Sequence, residues 1–330
     1  MSWLSKAIDA GGEYVNPLDD IEDALFLTTG ARRAKTSQFW VLLVLASLIA
    51  AGGVVGDSTP AVIGAMIVAP LATPIYGVAL ATVTGSRKDL LASMGLLVLG
   101  VAVNILIGYL VGLVTIDRMP IDLNPQIVGR TAPALLDLGV AVTVGVAGSF
   151  ALVRRDVSNI LAGVAIAISL VPVLAVVGIT LGSGRLDLAW GAFVLFLTNA
   201  AAIIVAGVVV FTAAGYERMA TERGRHPGRR AKWLIAVFVI VLIVPLGAAS
   251  ARTWFYERWI GASDAAAQAW VKGTGWDVKN VKQEGGDIVI SVVGPGASPP
   301  VGDLRAAVRK DVPTSVDVLV IEESGATTKL

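Results

Sequence analysis

The sequence predicts an α-helical polytopic membrane protein with about seven transmembrane helices in a 3+3 inverted repeat, followed by a small C-terminal α/β domain. Hydrophobic residues make up 55% of the 330 residues, charged residues only 15%, and mean hydropathy is +0.76, values far from those of soluble proteins. Seven apolar segments are long enough to cross roughly 30 Å of hydrocarbon as helices. Two of them resemble each other at a spacing of 99 residues, which indicates an internal duplication.

The apolar segments and their connections set the domain organisation. Crossings are predicted at 38–56, 60–83, 89–114, 133–153, 159–182, 187–214 and 232–251. The predicted regions are a cytoplasmic N-terminal amphipathic segment (1–37), a first membrane repeat of three crossings (38–114), an external linker (115–132), a second repeat of three crossings (133–214), a basic cytoplasmic loop (215–231), a seventh crossing (232–251) and an extracytoplasmic α/β domain (252–330).

The distribution of Lys and Arg predicts the orientation. With a cytoplasmic N-terminus, fourteen of these residues lie in or beside cytoplasmic connections and three, Arg118, Arg130 and Arg185, in external ones. Because short loops rich in Lys and Arg stay in the cytoplasm, we expect a cytoplasmic N-terminus and an extracytoplasmic C-terminus. The basic loop 215–231 most simply contacts anionic membrane lipids, and no nucleic-acid partner is expected.

The duplicated segments align at matching landmarks. A shift of 99 residues superimposes Asp57 on Asp156, and the same shift superimposes Gly64 on Gly163, Ile67 on Ile166, Leu71 on Leu170, Val78 on Val177 and Gly85 on Gly184. If each copy holds three crossings, the second is inverted relative to the first, because three is an odd number. Inverted repeats with interrupted helices are typical of transporters.

Helix-breaking residues lie near the middle of the second and fifth crossings. Pro70, Thr73 and Pro74 interrupt the second, and Ser169 with Pro172 interrupts the fifth. Each proline removes an N–H from the helical ladder, so the released carbonyl groups need other partners. Such breaks are tolerated where they are buried in protein or line a water-filled cavity, which favours a substrate-binding role. Ordinary proline kinks in a packed bundle are the alternative.

Asn104 and Asn199 place amides near the middle of the third and sixth crossings, at similar positions in the two halves when the sequence is shifted by 95 residues. An amide is unfavourable against lipid, so both side chains are expected to face the protein interior. One role is hydrogen bonding between helices. The other is contact with a substrate at the centre of an inverted repeat, and both roles stay open.

Three aspartates are candidates for gating or capping. Asp57 and Asp156 end the first and fourth crossings at opposite membrane faces, where each can gate a pathway or help to cap the following helix together with a neighbouring Ser or Thr. Asp137 lies about four residues into the fourth crossing, where it can carry a proton or pair with Arg130.

Composition argues against an enzyme and against a cofactor. The chain has no cysteine and a single histidine, His226 in the basic loop, so it offers no thiolate site and no histidine-based metal cluster or proton relay. The glycine-containing segment 182–185 lacks the pattern of a phosphate-binding loop and is interpreted as a turn.

The segment from 252 onward is soluble in character. Its pattern predicts helix, strand, strand, helix and strand (αββαβ), an order that resembles the BON-type modules of bacterial envelope proteins. Such a domain offers a place for an extracytoplasmic ligand.

The segment T-P-A-V-I-G-A-M-I-V-A-P-L-A-T-P-I, beginning at Thr59, resembles the bacterial membrane family catalogued as domain of unknown function 389. The resemblance covers roughly 36–182, and its core is G-A-M-I-V-A-P-L. It implies a multi-pass protein of the bacterial inner membrane, and it implies no activity, substrate or site residue.

The function that these features favour is transport of a small solute or ion through a midplane site formed by the two broken helices, in a homo-oligomeric protein. The alternative is a non-transporting envelope scaffold or sensor whose external domain binds a partner. An ion channel is a third option. A water-filled cavity at the breaks would favour transport, whereas a dry and fully packed interior would favour the scaffold.

Overall fold

A computed structural model describes residues 14–115, 121–131, 135–157, 170–225, 255–256, 258–284, 287–295, 298–314 and 316–324. The chain separates into two compact units, Met1–Leu246 and Gly247–Leu330. Within the described residues, the first unit is mainly helical and the second combines helices with a small sheet.

Ten α-helices and one 3₁₀ turn, Ile121–Leu123, are described in the first unit. The helices are α1 (Leu18–Leu25), α2 (Arg32–Val55), α3 (Thr59–Val68), α4 (Ala72–Thr84), α5 (Arg87–Thr115), α6 (Pro125–Val128), α7 (Leu135–Val153), α8 (Val171–Gly182), α9 (Leu186–Ala213) and α10 (Tyr216–Glu222).

Among the described residues, α2, α5, α7 and α9 are each long and apolar enough to cross a membrane. α3 and α4 pass the same test together, and with them the count reaches five, but the pair is bent by 44° at a short break. α8 is a shorter apolar helix of 12 residues. By length and composition, these are the helices of a membrane-embedded protein, as the sequence predicts.

Most of the predicted crossings correspond to described helices. α2, α5, α7 and α9 lie at the first, third, fourth and sixth predicted crossings, and α3 with α4 occupies the second. α8 forms the last part of the fifth crossing, whereas 158–169 and the seventh crossing, 232–251, lie outside the described residues. The total of seven crossings therefore stays a prediction.

α4 and α8 lie at the centre of this unit. Pro74–Thr84 of α4 and Val171–Thr180 of α8 are buried at every position. α5 and α9 each pack against both central helices, α2 packs on α5 and α8, and α7 packs on α9. The outer faces of α2, α5 and α7 expose large apolar side chains, an arrangement suited to hydrocarbon, which is as apolar as Leu itself.

At one end of the unit, the segment that precedes α2 joins three connections. The Tyr216 hydroxyl donates to the Asn16 carbonyl over 2.9 Å, and the Asn16 N–H donates to the Val153 carbonyl over 2.8 Å. The Thr28 hydroxyl donates to the Asp89 carboxylate over 2.8 Å. The segments that the sequence places in the cytoplasm therefore lie together.

At the other end, the linker before α7 covers the turn between α2 and α3. The side-chain Nδ2 of Asn124 donates to the Val54 carbonyl over 2.9 Å, and its Oδ1 accepts from the N–H groups of Gln126 and Ile127. The Gln126 amide donates to the Thr59 hydroxyl over 3.0 Å, and Ile127 is fully buried. This part of the predicted external linker is an ordered part of the fold.

In the described residues of the second unit, two helices share one hydrophobic core with a three-stranded sheet. The elements in order are α11 (258–271), β1 (Asp277–Glu284), β2 (Asp287–Gly294), α12 (Val301–Val308) and β3 (Val318–Ser324). The strand order is β1-β2-β3; β1 and β2 are antiparallel, and β2 and β3 are parallel. Ile288, Ile290 and Val292 of the central strand form the core with Leu304 and Val308 of α12. The order of elements matches the predicted αββαβ pattern.

Candidate functional site

The two central helices both begin inside the apolar region. α3 ends at Val68, and α4 starts at Ala72 after a break that contains Pro70 and the buried Leu71. α8 starts at Val171 after the buried Leu170. The residue preceding each helix is therefore a leucine, which has no side-chain group to cap it.

The prolines have a more specific role than breaking the helices. Pro74 lies in the first turn of α4, and Pro172 lies in the first turn of α8. A proline is well tolerated there, because an N–H at this position has no acceptor within the helix. Only Pro70 lies in the break itself. Thr73 is half-buried in the first turn of α4, and Ser169 lies outside the described residues.

Asn104 lies on the buried face of α5, with its side chain fully enclosed. Gly100, one turn earlier, faces the first break: a Cβ placed on it would lie 2.9 Å from Cδ2 of Leu71. Gly108, one turn later, faces α8, because a Cβ on it would lie 2.6 Å from the Ala175 carbonyl oxygen. Asn104 therefore lies between the start of α4 and the first turns of α8.

The register between α5 and α8 defines the position of Asn104 along α8 more precisely. Gly108 lies against Ala175, and Gly112 lies against Ile179. Because a step of four residues along α5 matches a step of four residues in the same direction along α8, the two helices run parallel. One turn before Gly108 and Ala175, the same register sets Asn104 level with Val171, the first residue of α8.

Asn199 has a related position on α9, where it is 3% exposed. Gly207 of α9 packs against α4, since a Cβ on it would lie 2.9 Å from Cβ of Ala79 and 3.2 Å from Cδ1 of Tyr76. α4 and α9 both run toward the end where the N-terminal segment lies. Two turns before Gly207, Asn199 therefore lies beyond the start of α4.

The amides differ from the other buried polar side chains of this unit. Asn104 has no hydrogen-bond partner for either Nδ2 or Oδ1, and Asn199 has none for Oδ1, among the described residues. The hydroxyls of Thr82, Thr180 and Thr198 instead donate to carbonyl groups of their own helices. A buried group left without a partner destabilises a fold by about 1–3 kcal/mol, so the amides need an explanation beyond packing.

The aspartates lie at helix ends. Asp57 is exposed in the turn after α2 with a φ of 47°, and the cap of α3 is Ser58, whose Oγ accepts from the Ala61 N–H over 3.4 Å. Asp156 is exposed and pairs with Arg154 over 2.6 Å; the hydrogen bond from the guanidinium lowers the pKa of this carboxyl from its ordinary value. Asp137 is half-buried in the first turn of α7.

Arg130, the suggested partner of Asp137, donates from Nη1 to both carbonyl oxygens of Gln126, over 2.8 Å to the backbone and 3.0 Å to the side chain. Desolvation lowers the pKa of the Arg130 guanidinium from its ordinary value. The two amides and the helix starts thus lie together in the apolar core, whereas the three aspartates lie away from them. Among the described residues, no group of three His, Cys, Asp or Glu side chains is placed to hold a metal ion.

Sequence patterns missed Tyr76. Its hydroxyl is fully buried and donates to the Gly145 carbonyl over 3.0 Å, joining α4 to α7. A tyrosine at the centre of an apolar segment was the available signal, because a buried hydroxyl needs a partner.

Comparison with known proteins supports the family assignment. The sequence model of the family described as "Domain of unknown function (DUF389)" matches residues 66–205, a range that contains both helix starts and both asparagines. An uncharacterized protein of the archaeon Methanocaldococcus jannaschii is 32% identical over 211 residues, which cover 61% of this chain and 64% of that protein. The chain thus spans less than two thirds of this relative's length.

The match starts and ends later along the chain than the predicted resemblance over 36–182, and the archaeal relative leaves a bacterial origin as a prediction. The resemblance itself is confirmed. Residues 66–205 of the chain match the DUF389 family model.

Proposed function

We propose that the membrane unit moves a small polar solute or ion across the membrane through a site between the N-terminal ends of α4 and α8. The observation that carries the proposal is the Asn104 side chain, a fully buried amide that has no partner among the described residues and lies level with the start of α8. A passing solute, ion or accompanying water provides the hydrogen bonds that the protein does not.

Matching helix positions in the two halves support an inverted repeat around this site. α4 and α8 begin 99 residues apart, and so do α5 and α9. Gly85 and Gly184, also 99 residues apart, both have the left-handed conformation, with φ of 72° and 74°. This regularity extends the sequence duplication to the level of turns and helix boundaries.

The closest helix contacts repeat at the same spacing. Gly108 packs on Ala175 and Gly178. The residue 99 positions after Gly108 is Gly207, and the residues 99 positions before Ala175 and Gly178 are Tyr76 and Ala79. Gly207 packs on Tyr76 and Ala79 in the same way. The interface between α5 and α8 thus corresponds in register to the interface between α9 and α4. By this register, Asn104 corresponds to position 203, so the two amides are one turn away from exact equivalence.

The directions of the central helices support the same site. α4 runs from the interior toward the end where the N-terminal segment lies, and α8 runs toward the opposite end, as the register with α5 requires. Both N-terminal ends therefore lie in the interior. Helices that start inside the membrane are typical of transporter folds built from inverted repeats, where substrate sites lie near the midplane.

Flux into proteoliposomes tests the proposal. The purified full chain is reconstituted, and uptake is measured for a panel of monovalent ions, sulfate, urea and glycerol. We expect at least one solute to enter, and we expect Asn104→Ala to reduce its flux while Thr143→Val, an exposed hydroxyl on α7 that bonds only its own helix, leaves the flux unchanged.

Absence of flux for every solute from the correctly folded protein would overturn the proposal and favour the envelope scaffold or sensor. Flux that is unaffected by changes at both Asn104 and Asn199 would place the pathway elsewhere. Folding of each variant is checked by size-exclusion profile and thermal unfolding before flux is compared.

A further inference from the structure

We infer that the solute is a small monovalent anion, held between the N-terminal ends of α4 and α8. The inference rests on the proposed function, because it assigns the chemical class of solute to the same site. Two observations point to it independently: the helix ends are uncapped, and the buried amide of Asn104, without a partner among the described residues, lies level with one of them.

Neither helix end has a side-chain cap, which is also true of α1, α2, α9 and α10. Ser58 caps α3, and Asn124 caps α6 by accepting hydrogen bonds from backbone N–H groups. In the described part of the chain, α4 and α8 have no such bond, and the residues at their cap positions are Leu71 and Leu170. Pro74 and Pro172 have no N–H, and the Thr73 N–H donates to the Pro70 carbonyl over 3.1 Å, so the donors that these first turns can offer are the N–H groups of Ala72, Val171 and Val173.

The electrostatic balance favours one negative charge. A helix N-terminus acts as roughly half of an elementary positive charge, so two such ends supply about one. Within the described parts of α2–α5 and α7–α9, acidic side chains lie only in first turns, at Asp89, Asp137 and Asp187. Lys and Arg in these helices are also confined to first turns. The midplane therefore holds no carboxylate to neutralise a cation and no full positive charge to neutralise a divalent anion.

At the first break, which is the one whose carbonyl end the structure describes, the carbonyl groups are less enclosed than the start of the next helix. The carbonyl end at the first break belongs to α3, which lies at the edge of the bundle: Ile63 and Ile67 are 50% and 55% exposed. The positive ends belong to the two most enclosed helices. An amide suits the anion, because its NH₂ group donates two hydrogen bonds.

The sharpest test places a negative charge at the site. Uptake of chloride, nitrate and formate is compared with uptake of sodium, potassium, sulfate, urea and glycerol in proteoliposomes containing wild type, Asn104→Ala or Asn104→Asp. We expect wild type to pass at least one monovalent anion and to pass neither cation. A carboxylate at 104 would repel the anion, so Asn104→Asp should reduce that flux by about tenfold more than Asn104→Ala does.

Each other outcome has a distinct meaning. Sodium or potassium flux that falls in Asn104→Ala and is retained in Asn104→Asp would overturn the anion and keep the midplane site. Urea or glycerol flux that falls equally in both variants would assign a neutral solute, and selective sulfate flux would assign a divalent one. No flux for any solute in wild type would overturn the proposed function itself. If Asn104→Asp fails to fold, Asn199→Asp gives the same comparison at the second amide.

A binding measurement gives a second readout. Sodium nitrate should raise the unfolding temperature of wild-type protein in detergent relative to sodium gluconate at equal ionic strength, because an ion that binds only the folded state stabilises it. Asn104→Asp should lose this difference, and Thr143→Val should keep it. An equal response of all three proteins would exclude binding of nitrate at this site.

Discussion

Gly108 and Gly178 pack backbone against backbone where α5 meets α8. A Cβ on Gly178 would lie 2.7 Å from Cα of Gly108, and a Cβ on Gly108 would lie 3.1 Å from Cα of Gly178. Helices in membranes associate through such small-residue contacts, because lipid supplies no hydrophobic driving force between them. This contact also fixes the register that sets Asn104 level with the start of α8.

Gly108→Ala should therefore destabilise the fold. The new methyl group would lie 2.6 Å from the Ala175 carbonyl oxygen, so one helix has to shift, at a cost of about 1–3 kcal/mol. Gly95→Ala on the same helix is the matched control, because a Cβ there meets no atom of the described residues within 4 Å. It should be neutral or stabilising, because alanine has a higher helix propensity than glycine. Thermal unfolding in detergent checks the opposite signs, and equal shifts would contradict the close contact.

Tyr76→Phe should lower stability by about 1 kcal/mol, because it removes the buried hydrogen bond from α4 to the Gly145 carbonyl of α7. Tyr109→Phe is the control: the Tyr109 residue of α5 is 38% exposed, and its change should leave the unfolding temperature nearly unaltered. The comparison is made by thermal unfolding under identical detergent conditions. A loss no greater than that of the control would mean that the Tyr76 bond contributes nothing.

The long helices were predictable because hydropathy reports directly on a membrane environment. α2, α5, α7 and α9 follow the apolar segments to within a few residues, apart from α2, which starts at Arg32, six residues before the predicted crossing. Pro70 marked the first break correctly. The predictable features are those that depend on local composition or on the conformational limits of one residue type.

The arrangement of the site depends on contacts that no local pattern contains. Nothing in the sequence around Pro74 or Pro172 distinguishes a mid-helix kink from a first turn. The bond between Tyr216 and Asn16 joins residues 200 positions apart. The shift of 95 residues suggested that the two asparagines are equivalent, whereas the helix starts follow a shift of 99. The fold, rather than the sequence pattern, supplies that register.

The N-terminal segment should loosen when one of its ion pairs, that of Asp19 with Arg223, is removed. Arg223 pairs with Asp19 of α1 over 2.6 Å, and the hydrogen bond from the guanidinium lowers the pKa of the Asp19 carboxyl below 3.8. Arg223→Ala should speed hydrogen exchange of the α1 amides at neutral pH. Arg218→Ala is the control, because Arg218 is 86% exposed and pairs only within α10 among the described residues.

The sign of the pH dependence follows from the depressed pKa. The pair is formed at pH values above the ordinary pKa of Asp19, 3.8, and is lost as the pH falls through the lower folded-state value. Wild-type α1 should therefore exchange faster in that acidic range, after correction with an unstructured peptide, and Asp19→Asn should show a smaller change. Identical profiles for wild type and Asp19→Asn would mean that this pair does not hold the segment.

Asn104→Leu separates a structural role from a functional one. If the amide serves only the fold, replacing it should destabilise the protein, because hydrogen bonds between helices would be lost. The described side chain has no such bonds, so removing its two unpartnered polar atoms should instead raise stability by about 1–3 kcal/mol. Under the proposed function, the same change should abolish flux, because the apolar side chain offers the solute no hydrogen bond.

Higher unfolding temperature with lost flux is the expected pair of results, measured on one preparation. A destabilised variant would assign Asn104 to packing, and a stabilised variant with full flux would move the pathway away from it. Thr143→Val, which alters an exposed hydroxyl on α7, should change neither quantity.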